Sequence, residues 1–158
     1  MEASKGLLWP SESIRFLDPA FGTGAFYSAL LECFSDVHLN WARGYEIDPH
    51  YGNETVKLWD DTRLDLRIVD FTKSNPPNAE QDKANFLICN PPYSRHHHLS
   101  SDEKLRLQRL ASQITGIKGS QLSGLYCYFM LISHGWLADD GLACWLVPSE
   151  FMDVNYGQ

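Results

Sequence analysis

The stretch Ile14-Arg-Phe-Leu-Asp18-Pro-Ala-Phe-Gly22-Thr-Gly24-Ala-Phe26 is an apolar run that ends in an acid and continues through a glycine-rich turn. After the turn, apolar residues recur at helical spacing to about Phe34, which predicts a helix over 25–34. The stretch therefore reads as a strand, a tight turn and a helix, the unit from which α/β sheets are built.

The same alternation of strands and helices continues along the chain. Asp48 and Pro49 are typical of a helix N-cap and first helical position. Loops are expected over 72–83 and 114–124, and a turn at Asp139-Asp-Gly141. Further strands are predicted over 41–47, 64–70, 84–89 and 142–147, and further helices over 49–58, 101–113 and 125–136. Alternating elements predict an α/β fold with a doubly wound, mostly parallel sheet and right-handed crossovers.

Composition limits the class of protein. A chain of 158 residues with 44% hydrophobic and 13% aromatic residues predicts one packed domain over 1–158, in which 1–13 is a short segment before the first strand. No apolar run approaches the roughly 20 residues that span a bilayer, and the start lacks a signal-peptide pattern, so a cytoplasmic protein is expected. The four cysteines are widely spaced without a CxxC pair, which favours buried reduced thiols over a metal site.

Charge is distributed unevenly. The net charge is −7, yet residues 94–123 carry five basic and two acidic side chains, together with His96, His97 and His98. This basic segment, which includes Arg95, is compatible with local contact to nucleic-acid phosphates or with a solvated loop. Consecutive histidines point apart, so no metal is expected there.

The glycine turn is the first candidate ligand site, because ligands bind at the C-terminal ends of parallel strands. Gly22 and Gly24 let a backbone approach a ligand closely, and Asp18 suits a cationic ligand better than a pyrophosphate. The spacing lacks the third glycine of a dinucleotide fingerprint and the lysine of a phosphate-binding loop. The alternative is a tight turn that binds nothing.

Acids at the ends of the second and third strands extend this site. Glu46 is placed to accept hydrogen bonds from both hydroxyls of a ribose, whereas Asp48 is already explained as a helix cap. Asp70 offers an acceptor for an adenine amino group, and Phe71 offers a ring to pack against the base. A strand-end acid can also be a solvated charge.

Asn90-Pro91-Pro92-Tyr93 directly follows the apolar run 84–89 and is the candidate catalytic motif. An aromatic amine is a poor nucleophile because its lone pair is delocalised into the ring. The Asn90 side-chain oxygen and the Pro91 carbonyl can accept its two N–H hydrogens and stabilise the positive charge that develops on nitrogen. The prolines stiffen the backbone, and Tyr93 offers a face for a planar base.

Asn75-Pro-Pro-Asn78 repeats the first three residues of this motif. It lies in a polar stretch, follows no apolar strand and has no aromatic residue. We therefore interpret residues 75–78 as a turn.

Together, DPAFGTGAF, GYEIDP, VDF, NPPY and Trp145-Leu-Val-Pro-Ser-Glu-Phe151 resemble the N6-adenine DNA methyltransferases of bacterial restriction–modification systems, with the motif order of the gamma class. The resemblance implies a class I, Rossmann-like methyltransferase fold and S-adenosyl-L-methionine (SAM) as cofactor. Double-stranded DNA and a cognate restriction endonuclease activity, in the full-length protein or its operon, are the implied partners. The chain ends after the fifth predicted strand, so we expect a fragment without the target-recognition region, which alone can be inactive.

The resemblance also implies residue roles. Asp18, Pro19, Ala20, Phe21, Gly22 and Gly24 would line the methionine part of SAM. Glu46 would hold the ribose, with Ile47, Phe71 and Asp70 at the adenine. Asn90, Pro91, Pro92 and Tyr93 would hold a target adenine extracted from the duplex. Arg95, His96, His97 and His98 would contact the DNA.

Two other function classes remain open at this point. An enzyme of the same chemistry could methylate another planar amine, such as a protein glutamine or an RNA base. A non-catalytic module that binds SAM or DNA is the third reading.

Overall fold

The computed structural model describes residues 13–34, 38–93, 99–117 and 124–149. Its strands and helices follow one another in the order that the sequence predicts. Short 3₁₀ helices lie at Phe71–Lys73, Glu80–Asp82 and His134–Trp136. The elements in chain order are β1 (Ile14–Asp18), α1 (Ala25–Cys33), β2 (Leu39–Glu46), α2 (Pro49–Leu58), β3 (Leu64–Ile68), β4 (Ala84–Cys89), α3 (Ser101–Thr115), α4 (Leu125–Ser133) and β5 (Leu137–Trp145).

The five strands form one parallel sheet in the order β3-β2-β1-β4-β5, which confirms the predicted doubly wound α/β fold. The chain moves outward from β1 to β3 and then returns to the other side of β1 with β4. The strand order thus reverses between β1 and β4. Ligands of such sheets bind at this reversal, beyond the C-terminal ends of the strands. Asp18 and Cys89 are the last residues of the two strands that flank it.

Contacts divide the chain into two compact units. The sheet unit comprises Met1–Cys89 and Leu137–Cys144, and the helical unit comprises Asn90–Trp136 and Trp145–Gln158. The prediction of a single domain stays a prediction.

The core of the sheet unit lies between α1 and one face of the sheet. The Phe16 ring lies 6.2 Å from Tyr27 and 6.1 Å from Phe86, measured between ring centroids. Leu30 and Ile88 belong to the same buried cluster. Every residue of β4 is buried, as expected for a central parallel strand.

In the helical unit, α3 packs against α4. Leu107 and Ala111 are the buried residues of α3. In α4, Tyr126, Tyr128 and Phe129 are buried. The sequence places Leu125, Phe129, Ile132 and Trp136 at helical spacing, which predicts that they share one buried face. Three of the four are buried, whereas Leu125 is half-buried, and Trp136 lies in the 3₁₀ segment that follows α4.

Local signals set the helix ends. Asp48 Oδ1 accepts a hydrogen bond from the His50 N–H, and Pro49 is the first residue of α2. Ser100 Oγ accepts from the Glu103 N–H at the start of α3, and Gly116 closes that helix with φ +72°. The Asp48 cap confirms the prediction from the sequence, and Ser100 caps α3 in the same way.

The fifth strand differs from its prediction. Strand β5 begins at Leu137 and not at residue 142, so Asp139, Asp140 and Gly141 lie inside the strand and do not form a turn. The Asp139 N–H donates to Glu80 Oε1 at 2.7 Å, 59 residues away in the chain. Residues 139–141 have the composition of a turn, but they are extended in the structure, where a hydrogen bond to a residue distant in the chain stabilises them.

Other boundaries shift less. Strand β3 ends at Ile68, two residues before the predicted end. The expected loop 72–83 contains two short 3₁₀ helices.

Two of the four cysteines expected to be buried, Cys33 and Cys144, are only half-buried, and all four are free thiols. Within the described ranges, no helix has the length and apolar character needed to cross a membrane.

Candidate active site

The glycine turn between β1 and α1 is built on two left-handed residues. Gly22 has φ +57° and Gly24 has φ +86°, a region that L side chains rarely adopt. A Cβ at Gly22 would meet nothing within 4 Å, whereas one at Gly24 would lie 2.7 Å from atoms of Phe21 and Trp59. Gly22 thus faces open space, and Gly24 is required by packing within the protein.

The Phe21 side chain points into the core. It is 3% exposed and its ring lies 6.1 Å from Tyr27. The ring also fills the space that a Cβ on Gly44 of β2 would occupy. The backbone N–H of Phe21 donates to the Tyr45 carbonyl at 2.8 Å, so the turn is tied to β2. The Phe21 ring is therefore committed to the core, and only its backbone belongs to the surface of the turn.

Asp18 is a buried carboxyl group with one unsatisfied oxygen. Its side chain is 1% exposed, and Oδ1 accepts the Ala20 N–H at 3.1 Å. Oδ2 is buried and has no hydrogen-bond partner among the described residues. Burial, with a smaller contribution from the negative charge of Glu46, raises the pKa of Asp18 to about 7. Such an oxygen would gain from a ligand that carries positive charge or an N–H donor.

Glu46, at the end of β2, is held by two backbone donors. Oε2 accepts the Gly22 N–H at 2.9 Å, and Oε1 accepts the Asp48 N–H at 2.8 Å. A carboxylate oxygen can accept two hydrogen bonds, so each oxygen keeps a second acceptor position. The structure thus fixes the orientation of this carboxylate and leaves both oxygens able to accept from hydroxyl groups.

Helix α2 supports the turn from the other side, which the sequence did not indicate. Thr55 Oγ1 donates to the Gly22 carbonyl at 3.0 Å, and Trp59 Nε1 donates to the Thr23 carbonyl at 3.3 Å. Thr55 is only 3% exposed. No local pattern in the sequence indicates these two contacts, because their partners lie 33 and 36 residues apart in the chain.

The three residues expected at an adenine ring differ in exposure and in their contacts within the protein. Ile47 is 67% exposed directly after β2. Phe71 is 2% exposed, with its ring 5.1 Å from Tyr45. Asp70 is the cap of the 3₁₀ turn: its Oδ1 accepts the Thr72 N–H, and its Oδ2 lies 3.4 Å from Lys73 Nζ. Ile47 alone of these three has an open apolar surface.

The Asn90–Tyr93 segment belongs to the helical unit and directly follows β4 in the chain. Asn90 is exposed, Pro91 is buried, Pro92 is half-buried and Tyr93 is exposed. The Tyr93 hydroxyl donates to Asn90 Oδ1 and also lies 2.7 Å from the Leu146 carbonyl. The Tyr93 ring meets the Tyr126 ring edge-on at 6.4 Å. The segment thus presents an accessible amide beside an accessible ring.

The similar segment at 75–78 has no such setting. It lies outside the regular elements, between two 3₁₀ helices, and its interpretation as a turn stays a prediction. Arg95, His96, His97 and His98, the expected DNA contacts, lie outside the described residues.

In the sheet unit, the structure thus brings Asp18, Gly22 and Glu46 to one corner, with Pro19 and Ala20 in the same turn. In the helical unit it joins Asn90 to Tyr93. The side chains of Phe21, Asp70 and Phe71 are committed to contacts within the protein.

Two relatives match most of the chain. The Type II methyltransferase M.XamI of Xanthomonas campestris pv. amaranthicola is 33% identical over 150 residues, which cover 90% of this chain and 27% of that protein. The Type II methyltransferase M.AccI of Acinetobacter calcoaceticus is 27% identical over 156 residues, or 98% of this chain and 27% of that protein. The chain spans about a quarter of the length of these relatives.

Solved structures share the fold. A type I restriction-modification system methyltransferase subunit from Streptococcus thermophilus superposes with a TM-score of 0.67 at 16% identity, over 89% of this chain and 31% of that one. A Listeria monocytogenes structure described as a class I S-adenosylmethionine-dependent methyltransferase gives a TM-score of 0.71 at 14% identity, over 97% and 44%. The expected class I methyltransferase fold is confirmed.

The family model of the Eco57I restriction-modification methylases matches residues 32–158, which include β2 to β5 and the Asn90–Tyr93 segment. The chain therefore belongs to the Eco57I restriction-modification methylase family.

Proposed function

We propose that the chain transfers a methyl group from SAM to the exocyclic N6 amino group of an adenine in DNA. The observation that carries the proposal is the exposed Asn90 residue directly after a fully buried strand, with its side-chain oxygen accepting a hydrogen bond from the Tyr93 hydroxyl. Membership of a restriction-modification methylase family supports DNA as the methyl acceptor.

The Asn90 oxygen supplies what an aromatic amine lacks. As the nitrogen attacks, it becomes pyramidal and positively charged, and acceptors on its two N–H bonds stabilise that charge. Asn90 Oδ1 is one acceptor, and we assign the Pro91 carbonyl as the second. No proton has to leave before the methyl group is transferred, so this chain needs no strong general base.

The glycine-turn corner has the donors, acceptors and charge that SAM requires. SAM supplies an electrophilic methyl group on a positively charged sulfur. Two acidic groups, Asp18 with its unsatisfied Oδ2 and the carboxylate of Glu46, lie close together at this corner. A cationic ligand is attracted to these acidic groups, whereas a pyrophosphate would be repelled by them.

We assign residue roles on that basis. The open side of Gly22 and the backbone from Asp18 to Phe21 line the methionine part of the cofactor. Glu46 accepts the ribose hydroxyls with the lone pairs that Gly22 and Asp48 leave unused. Ile47 covers one face of the adenine ring. Asp70 and Phe71 act at that ring through the backbone turn that they form after β3.

The target adenine has to leave the duplex, because its amino group cannot reach Asn90 while it is stacked. The exposed Tyr93 ring, 45% exposed and backed by Tyr126, offers a surface on which the extracted base can stack. Arg95 and His96 to His98 follow this ring in sequence, and we assign them to the DNA backbone. A restriction endonuclease, in the same protein or encoded nearby, is the partner that the family suggests.

The two alternative functions predict a different fate for the methyl group. Methylation of a protein glutamine or an RNA base would use the same Asn90 chemistry, and a non-catalytic module would bind SAM without transfer. The restriction-modification family favours DNA over both.

The test uses the full gene product, meaning this chain with any sequence that flanks it in its gene. It is incubated with methyl-labelled SAM and, in parallel, with genomic DNA lacking adenine methylation, total RNA and a protein extract. We expect label on N6-methyladenine in the DNA. Label on RNA or protein alone would contradict the proposal, as would label at cytosine.

A further inference from the structure

The Tyr93 hydroxyl lies between two acceptors within the helical unit. It donates to Asn90 Oδ1, and the Leu146 carbonyl lies 2.7 Å from the same oxygen. A phenol carries a single hydrogen, and neither carbonyl group can donate one. The hydrogen can therefore serve one acceptor fully at a time. Rotation about the phenol C–O bond passes it from Asn90 to Leu146 without moving any heavy atom.

The ring that carries this hydroxyl is held at both ends. Its oxygen contacts Asn90 and Leu146, and the ring itself meets the ring of Tyr126, which is only 8% exposed, in a T-shaped contact. Asn90 itself is exposed. An exposed amide can flip and present its NH₂ group in place of its oxygen, which would put a donor against the N–H of a target amine. A fixed hydroxyl donor selects the orientation in which the oxygen faces it.

We infer that Tyr93 is a positioning residue for Asn90, with a role separate from base stacking. Its hydroxyl holds the Asn90 oxygen in the acceptor orientation before the target arrives. When an amino group binds Asn90 Oδ1, the hydroxyl turns to the Leu146 carbonyl and leaves the oxygen to the amine. No covalent bond changes in this step. The inference rests on the proposed function, because the amine is the proposed substrate.

The hand-over has a physical reason. An oxygen that accepts from a phenol has less electron density to offer a second donor, and the transition state places positive charge on the amine. Moving the phenol hydrogen to Leu146 restores the full acceptor strength of Asn90 when that charge develops. The Leu146 carbonyl thus keeps the hydroxyl satisfied in the state where Asn90 is in use.

Substitutions separate the ring from the hydroxyl. Tyr93→Phe keeps the stacking surface and removes the hydroxyl, and Tyr93→Ala removes both. Tyr51→Phe is the matched control, because Tyr51 is an exposed tyrosine on α2 whose ring faces His50 and which has no proposed role in the reaction. Methylation of genomic DNA lacking adenine methylation is measured in the full gene product at several DNA concentrations.

We expect Tyr93→Phe to leave the KM for DNA within about twofold and to lower kcat about tenfold, because only a fraction of the Asn90 side chains would then present their oxygen to the amine. Tyr93→Ala is expected to raise KM as well. Tyr51→Phe should behave as the wild type. An unchanged or higher kcat in Tyr93→Phe would overturn the inference, while the proposed function would stand.

A second measurement does not depend on activity. The side-chain ¹⁵N–¹H₂ signals of Asn90 are assigned by their loss in Asn90→Ala, and those of Asn75 in the 75–78 turn serve as the reference. We expect Tyr93→Phe to move the Asn90 signals and to leave the Asn75 signals in place. Unmoved Asn90 signals would overturn the inference. If the wild type methylates no DNA, the proposed function fails, and these signals alone decide whether Tyr93 positions Asn90.

Discussion

Glu46 Oε2 accepts a hydrogen bond from the backbone N–H of Gly22 at 2.9 Å, which joins the end of β2 to the glycine turn after β1. The partners are 24 residues apart in the chain. The second oxygen of Glu46 accepts from the Asp48 N–H, so the carboxylate is oriented before any ligand binds. Preorganisation of this kind lowers the entropy cost of binding.

Glu46→Gln should weaken SAM binding. Both protein partners of the side chain are N–H donors, so the amide nitrogen of glutamine would face one of them, and only one oxygen would be left to accept from the ribose hydroxyls. Loss of one hydrogen bond to a charged group costs about 1.5–3 kcal/mol, which raises the Kd for SAM roughly 10- to 150-fold. Isothermal titration calorimetry measures it, with Glu54→Gln as the control, because Glu54 is an exposed carboxylate paired with Lys57. Equal SAM affinity in Glu46→Gln and the wild type would argue against the ribose role.

Asn90→Ala should abolish methylation and keep cofactor binding. Removal of an acceptor for developing charge lowers the rate by about 100-fold or more. Asn75→Ala removes the corresponding side chain of the 75–78 turn and should change neither the rate nor the SAM affinity. Single-turnover methylation and calorimetry are compared for both variants. A fully active Asn90→Ala protein would rule out the catalytic assignment.

Asp18 should make stability depend on pH. Its pKa is raised from 3.8 to about 7 in the folded state, so the folded protein binds this proton more tightly than the unfolded chain does. The free energy of unfolding then falls as pH rises, by up to about 1.4 kcal/mol for each pH unit between 4 and 7. Glu46 and the buried Cys89 thiol are the titratable groups that interact with Asp18.

The measurement is urea denaturation at pH 5, 6, 7 and 8. Asp18→Asn keeps an oxygen for the Ala20 N–H and has no charge, so this variant should lose the part of the pH dependence that Asp18 contributes. The difference between wild type and variant should grow as pH rises to 7 and then level off above it. A constant difference across this range would show that Asp18 is already ionised in the folded protein at pH 5.

Gly44→Ala should destabilise the sheet unit, because the new methyl group would overlap the Phe21 ring. Overpacking of a core costs about 1–3 kcal/mol. Phe21→Leu makes room at this place, so Gly44→Ala should cost less in the Phe21→Leu background than in the wild type. Denaturant unfolding of the wild type, the two single variants and the double variant gives the coupling free energy between residues 21 and 44. An equal cost in both backgrounds would mean that Phe21 does not occupy this space in solution.

The sequence alone predicted the elements whose ends carry local signals. Strands β1 and β4 and helix α2 begin and end at the predicted residues. An apolar run that ends in Asp18 or Asn90, or a cap such as Asp48 followed by Pro49, is written within a few neighbouring residues. Strand β5 was missed at its start because Asp139-Asp-Gly141 has the composition of a turn, and the Glu80 partner of Asp139 is 59 residues away.

The same division holds for the candidate site. The sequence determined which groups are available, namely Asp18, Glu46, Asn90 and Tyr93, because their positions at strand ends follow from local pattern. Only the tertiary structure decided their partners: Gly22 for Glu46, Leu146 for Tyr93, and the core for the Phe21 ring. The two hydrogen bonds join residues that are 24 and 53 positions apart in the chain. The direction of the Phe21 ring follows from its fit against Gly44 of the neighbouring strand. Packing of the whole chain sets such distances, and no local pattern of residues encodes them.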